Sequence, residues 1–370
     1  MGWNTWNTFG SQINSQLICE AADAIVSAGL RDAGYAYVVI DDCWAEKTRD
    51  ADGRLVPDRR LFPDGMKPVA DYVHSKGLKF GMYSCAGTLT CAGYPASYDH
   101  EFTDAETFAG WGVDFLKYDY CFHTPVLQAK YLYRRMGTAL ANCGRDILFS
   151  ACSWGVDGTP EWIRTTGAHM WRSTTDIHDA WHFIRDLILK QDTIFPYGGL
   201  GCFNDMDMLV VGMHGDGNVG DRAGCTPEEY RTHFSAWCLF ASPLMIGCDI
   251  RNMSEETRAI LCNREAIAID QDPAGFQPYR IQTFWPGDEK AAYARLLSNG
   301  DYALGVFNLS DGDSLISFGT DEMGLPISCG RRLLLRNVWT GEETVPANDT
   351  VQVNLKPHDS VLYRCKVIRA

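Results

Sequence analysis

Residues 111–121 read WGVDFLKYDYC. The apolar run within it, FLKYDY, is strand-like and ends in charge, and two-residue alternation puts Lys117 and Asp119 on one face. A stretch with helical spacing precedes it, Asp104 to Trp111, and another follows, Pro125 to Asn142. The same unit repeats in both directions along the chain. Further strand-like runs are MGWNTW at the start, YAYVVIDD, LKFGMYS, ILFSACS, HMWRSTTD, FNDMDMLV and LMIGCDI, with helical spacing also over Glu20 to Ala33, Met66 to Lys76 and Ala180 to Asp192. Eight strands separated by helices imply parallel pairing with right-handed crossovers, which closes most naturally into a (β/α)₈ barrel. No GxGxxG follows the first strand, which speaks against a doubly wound sheet.

After Asp272-Pro273 the texture changes to short alternating runs, AAYARLL, YALGVFNL, RRLLLRNVW, VQVNL and SVLYRC, punctuated by Gly, Asp and Asn. That pattern predicts an antiparallel β-sandwich. The expected division is a barrel over residues 1–276 and a sandwich over 277–370. A length of 370 residues suits a barrel of roughly 250 plus a smaller partner.

With 47 acidic against 33 basic residues the chain carries a formal charge of −14, which repels phosphate backbones and anionic membranes. Neither nucleic acid nor membrane is expected as a partner, and the oligomeric state stays open. Eleven tryptophans and 16 tyrosines supply flat amphipathic surfaces of the kind sugar rings stack on. No apolar run approaches the roughly 20 residues of a membrane span, and the start lacks a basic-then-apolar leader, so a cytoplasmic location is expected. The 14 cysteines are scattered without a CxxC pair, which predicts mostly free thiols in a reducing compartment. The sequons at Asn252, Asn308 and Asn348 then carry no meaning.

Nearly every expected barrel strand ends in an acidic, basic or aromatic residue: Trp6, Asp41 and Asp42, Tyr83, Lys117 and Asp119, Ser153 and Trp154, Arg172 and Asp176, Asp205 and Asp207. In a (β/α)₈ barrel these ends converge on one mouth, where active sites lie. So many acids repel one another unless they meet ligand hydroxyls, metal ions or basic partners. A metal would favour histidine on the strands, yet of nine only His169 lies in a strand-like run, at its start and so at the wrong end of the barrel. No cofactor and no catalytic metal are expected. Glycosidic cleavage, by contrast, needs one carboxylate at the anomeric carbon and one carboxylic acid at the leaving oxygen. Asp119 and Asp176, from strands four and six, flank the mouth as such a pair must. Lys117, on the face of Asp119, is expected to hold it ionised, as suits a nucleophile.

MGWNTWN, YVVIDDCW, GLKFGMYS, TCAGYPAS, WGVDFLKYDYC, WRSTTDI, FNDMDMLVVG and AIDQDP, in this order from Met1 to about Pro273, resemble the motifs of glycoside hydrolase family 27. That family holds α-galactosidases, α-N-acetylgalactosaminidases and a few β-L-arabinopyranosidases. The resemblance implies a retaining double displacement on a terminal α-linked galactose-type sugar, without cofactor, with Asp119 as nucleophile and Asp176 as acid/base. It further implies that Asp41 and Asp42 hold O4 and O6, that Lys117 reaches O3 and O4, and that Arg172 lies at the C2 substituent. Trp6 would stack on the sugar, with Tyr83 and Asp207 completing the pocket. Cys91 is placed with the substrate-binding residues, and the resemblance implies its bridge to Cys121. The chain departs from the α-galactosidase pattern at strand five, where Ser153 stands in place of a glutamate that binds O2. Serine there is similar to the N-acetylgalactosaminidases, which makes those the alternative activity, although Val156 replaces their nearby alanine. A β-L-arabinopyranosidase is less favoured, because that sugar has no C6 hydroxymethyl for the paired acids. A non-catalytic sugar-binding barrel is the reading from a different class. The Gly- and Asp-rich stretch from His214 to Arg222 reads as a loop after strand seven.

Overall fold

A computed structural model describes all residues of the chain except Arg222, Ile327 and Ala370. Eight parallel strands form the first sheet: β1 (Gly2–Asn4), β2 (Tyr37–Val39), β3 (Lys79–Cys85), β4 (Phe115–Asp119), β5 (Leu148–Ala151), β6 (Met170–Arg172), β7 (Phe203–Asp205) and β8 (Met245–Ile246). Each neighbours the next in chain order from β1 to β7, and β8 returns beside β1. The ring closes where Leu209, just beyond β7, bridges Ile246, its amide donating to the Met245 carbonyl at 2.7 Å. This is the expected barrel.

Alternation on β4 fixes what faces inward. Phe115 joins Val39, Met170, Met208 and Met245 in an apolar plug inside the barrel, whereas Leu116 and Tyr118 are wholly buried in the layer between strands and helices. Lys117 and Asp119 continue the inward row above the plug. The same parity turns Arg172 inward and Trp171 outward on β6.

The strands are shorter than their sequence runs. β1 ends at Asn4 and Trp6 opens a one-turn helix, Trp6–Phe9; β6 ends at Arg172, four residues before Asp176. Asp41 and Asp42 likewise lie past β2. The mouth is therefore built on strand exits rather than strand tips, where the chain takes unusual conformations: Cys43, Trp154 and Asp207 all have positive φ (72°, 53° and 91°).

The helices over Met66–Ser75, Glu101–Trp111, Ala129–Asn142 and Trp181–Lys190 match the expected segments to within a turn, while Glu20 to Ala33 resolves into Ser15–Ser27 and a turn at Leu30–Ala33. Among the described residues no helix is long and apolar enough to cross a membrane.

The C-terminal part is an antiparallel sandwich. A six-stranded sheet contains β9 (Tyr279–Arg280), β10 (Lys290–Leu296), β11 (Tyr302–Asn308), β13 (Arg331–Asn337), β14 (Glu343–Thr344) and β16 (Ser360–Arg369). It packs on the pair β12 (Ser314–Gly319) and β15 (Thr350–Leu355) around Ile281, Leu304, Ile316, Leu335 and Val351. Buried Arg295 of β10 joins it to the barrel by donating to the carbonyls of Cys238, Leu239 and Ile269. These are the C-terminal ends of two helices, where a cation is favoured.

Candidate active site

β4 delivers Asp119 to the mouth with 6% of its surface exposed. Its carboxylate accepts from the Tyr120 amide at 2.9 Å and from the Tyr83 hydroxyl at 3.2 Å. Lys117 departs from expectation: its ammonium donates to Asp41 at 2.8 Å rather than to Asp119. Burial outweighs the Lys117 field, so the Asp119 carboxyl is pushed up to about 6, with the charges of Asp176 and Asp41 adding to the rise.

Asp41 sits between two donors, Lys117 and the Asn4 side chain, both at 2.8 Å. Asn4 is a site residue that sequence reasoning missed, and its inward position on β1 was the available signal. Asp42 turns the other way at the bend of Cys43. It accepts from the Cys43 amide at 2.7 Å and from the Ala92 amide at 2.9 Å, which fastens the loop after β3 over the mouth. That loop carries Cys91, bridged to Cys121 immediately after β4 as the resemblance implied. The bridge needs the exits of β3 and β4 to touch, and a Cβ on Gly87 would collide with the Cys121 carbonyl. The other twelve cysteines are free.

Across the mouth, Arg172 is 5% exposed and holds Asp176 and Asp207, each at 2.9 Å. Burial works against ionisation of Asp176, but the Arg172 charge and hydrogen bond outweigh it and bring the carboxyl below the usual range. Its side chain is two-thirds exposed, at 66%. Asp207 accepts from the Ile177 amide at 2.7 Å, which anchors the segment that carries Asp176. Burial pushes its carboxyl up to about 7 despite Arg172. Asp205 stands behind, accepting from the Asp207 amide at 2.9 Å. Trp6 is half-buried at the rim, its amide donating to Asn4.

Ser153 does not stand where the sequence reading put it. It is fully buried, and its hydroxyl pairs with that of Thr159 at 2.7 Å. The inward residue at this exit is Cys152, whose sulfur lies 3.6 Å from the Arg172 guanidinium. Parity along β5 explains this, since Ser150 and Cys152 share the face opposite to Phe149 and Ala151.

Among the described residues one group of His, Cys, Asp and Glu has spacing for a metal, namely Cys91, Asp119 and Cys121, and its two cysteines are bridged. The mouth thus gathers six carboxylates, Asp41, Asp42, Asp119, Asp176, Asp205 and Asp207, each tied to a donor that fixes its orientation.

Known proteins share this plan. A family model described as alpha galactosidase A matches residues 1–272, and one described as the alpha galactosidase C-terminal beta sandwich domain matches 287–365. Alpha-galactosidase 3 of Arabidopsis thaliana is 42% identical over 364 residues, covering 98% of this chain and 80% of that protein. Alpha-galactosidase A of Cellvibrio japonicus is 39% identical over 384 residues, covering 98% and 91%. The crystal structure of alpha-galactosidase I from Mortierella vinacea superposes with a TM-score of 0.89 at 33% identity, covering 99% of this chain and 96% of that one. The chain is a glycoside hydrolase and belongs to family 27, the α-galactosidase family.

Proposed function

We propose that this enzyme removes terminal α-linked D-galactose by double displacement, with Asp119 attacking C1 and Asp176 protonating the departing oxygen. The covalent β-galactosyl ester on Asp119 is then cleaved by water that Asp176 deprotonates. The observation that carries this reading is the placement of two carboxylates across one mouth, Asp119 at the end of β4 and Asp176 on the exit of β6 beside Arg172. The named activities of the relatives at about 40% identity supply the sugar. Asp41, Asp42 and Lys117 would receive the hydroxyls at one edge, Trp6 the apolar face, and Arg172 with Cys152 the C2 side. The N-acetylgalactosaminidase alternative rested on Ser153, whose hydroxyl is engaged by Thr159.

Three nitrophenyl glycosides compared side by side test the sugar: α-galactoside is expected to exceed α-N-acetylgalactosaminide and β-L-arabinopyranoside in kcat/KM. NMR of the first product is expected to show the α-anomer, and the β-anomer as first product would sink the retaining mechanism. Ser153→Ala is expected to leave the galactose to N-acetylgalactosamine ratio of kcat/KM unchanged while lowering stability by about 1 kcal/mol, the worth of one hydrogen bond. A selective change in that ratio would return Ser153 to the C2 pocket.

The pH dependence follows from the proton shared by the pair. Catalysis needs Asp119 ionised and Asp176 protonated, the minority arrangement of the singly protonated pair, since the proton sits mainly on Asp119. That form as a whole extends from the lowered Asp176 value up to about 6 at Asp119. Above that both are ionised and no acid remains. On an unactivated galactoside, kcat/KM is therefore expected to fall as pH rises through about 6. A profile still rising there would contradict the assignment.

A further inference from the structure

We infer that reduction of the Cys91–Cys121 bridge uncovers a site for a soft divalent cation, zinc or cadmium, seated on Asp119. The two sulfurs and an Asp119 carboxylate oxygen all lie within 4.8 Å of one another. Two thiolates and a carboxylate on one zinc, at about 2.3 and 2.0–2.2 Å from it, stand less than about 4.6 Å apart. The three groups thus surround one point, and once the bond is broken the two sulfurs must part to about 3.8 Å to share one tetrahedral ion. Tyr83 marks the same point, since its hydroxyl lies 3.2 Å from both Cys91 Sγ and Asp119 Oδ2. While the sulfurs are bonded to each other they offer no thiolate, so the oxidised chain has no such site.

The chemistry balances. A dithiol reductant breaks the S–S bond, becomes a cyclic disulfide itself and leaves a thiol on each cysteine. Zinc then displaces both thiol protons and takes the Asp119 carboxylate as third ligand, with a water in the fourth position. Asp119 so held cannot attack C1. Reduction also releases the loop whose Ala92 amide binds Asp42. The bridge would thereby act as a guard that keeps metal off the active site.

The blockade rests on Asp119 being the nucleophile, whereas the site itself does not. The test uses the intact enzyme, oxidised or treated with a dithiol that is then removed under anaerobic conditions. Zinc uptake is read by competition with a chromophoric chelator, and turnover is followed in parallel. Reduced enzyme is expected to bind one zinc more than oxidised enzyme and to lose at least about tenfold in activity, restored by EDTA. The other twelve cysteines are unchanged in the Cys121→Ser variant, which is expected to lose that extra ion in the reduced state. Asp119→Asn, which keeps both thiols, is expected to bind it more weakly. No difference in zinc uptake between oxidised and reduced wild type, a comparison that needs no variant, would overturn the site and leave the nucleophile assignment standing. Zinc taken up by the reduced wild type and lost in Cys121→Ser, yet without inhibition, would overturn the blockade, while the nucleophile assignment is decided separately by azide rescue of Asp119→Ala.

Discussion

Asp119→Ala is expected to lower turnover of every α-galactoside by on the order of 10⁴-fold or more, and sodium azide is expected to restore part of it. The carboxylate is the group that forms the covalent bond, and Tyr83 and the Tyr120 amide aim it. Its truncation leaves a small hole where a small anion can enter from the same side and give β-galactosyl azide. The α-azide as product, or residual activity within tenfold of wild type, would remove Asp119 from the role. The same variant carries a stability signature whose sign follows from burial. The Asp119 carboxyl is raised to about 6, so in the wild type the folded state holds more protons than the unfolded state between the ordinary carboxylate value and about 6. Stability contributed by this group is present below that window and lost as pH rises through it. Asp119→Ala escapes the loss, so its melting temperature relative to wild type is expected to be higher at pH 8 than at pH 4. A difference that does not change with pH would mean that the carboxyl is not desolvated.

The barrel was legible because its signal is repeated: eight apolar runs separated by helical spacing leave few topologies open, and chain-order pairing from β1 to β7 follows. In the sandwich, β12, Ser314–Gly319, was not among the runs read from the sequence, since SLISFG places a polar Ser314 on the buried face and an exposed Leu315 on the other, which blurs the alternation. At the site, Asp119 was legible because β4 runs straight to it and parity holds. Past a strand end the residues were legible but not the way they face, because a positive φ at Cys43, Trp154 or Asp207 breaks the two-residue period. Ser153 is a different case: the resemblance implied a short residue opening the C2 pocket, and the parity of β5, carried on past Ala151, faces Cys152 inward and turns Ser153 against Thr159. The partner of Lys117 was also beyond sequence reasoning, because Asp41 comes from the exit of β2, 76 residues earlier, and only the closed barrel brings it within 2.8 Å.

Asp176→Ala is expected to separate substrates by leaving group. With an alkyl or sugar aglycone the departing oxygen needs a proton, and losing the acid is expected to cost on the order of 10²–10⁴-fold. With a dinitrophenyl group no proton is needed, so formation of the galactosyl-enzyme proceeds while its hydrolysis, which lacks a base, slows; a burst of dinitrophenolate followed by a low steady rate is expected. The fold tolerates the change, because Arg172 keeps its contact with Asp207 at 2.9 Å and Asp207 still holds the Ile177 amide. The pH profile of the burst is the sharper readout. Only an ionised Asp119 is now required, and the Asp176 charge that helped raise its carboxyl is gone, so burst rates are expected to rise with pH through a midpoint below about 6. The wild-type limb on an unactivated galactoside falls with pH over the same region. Two limbs of opposite slope, separated by one substitution and one leaving group, follow from a shared proton; equal losses on both substrates, with unchanged profiles, would show that Asp176 holds the sugar rather than the proton.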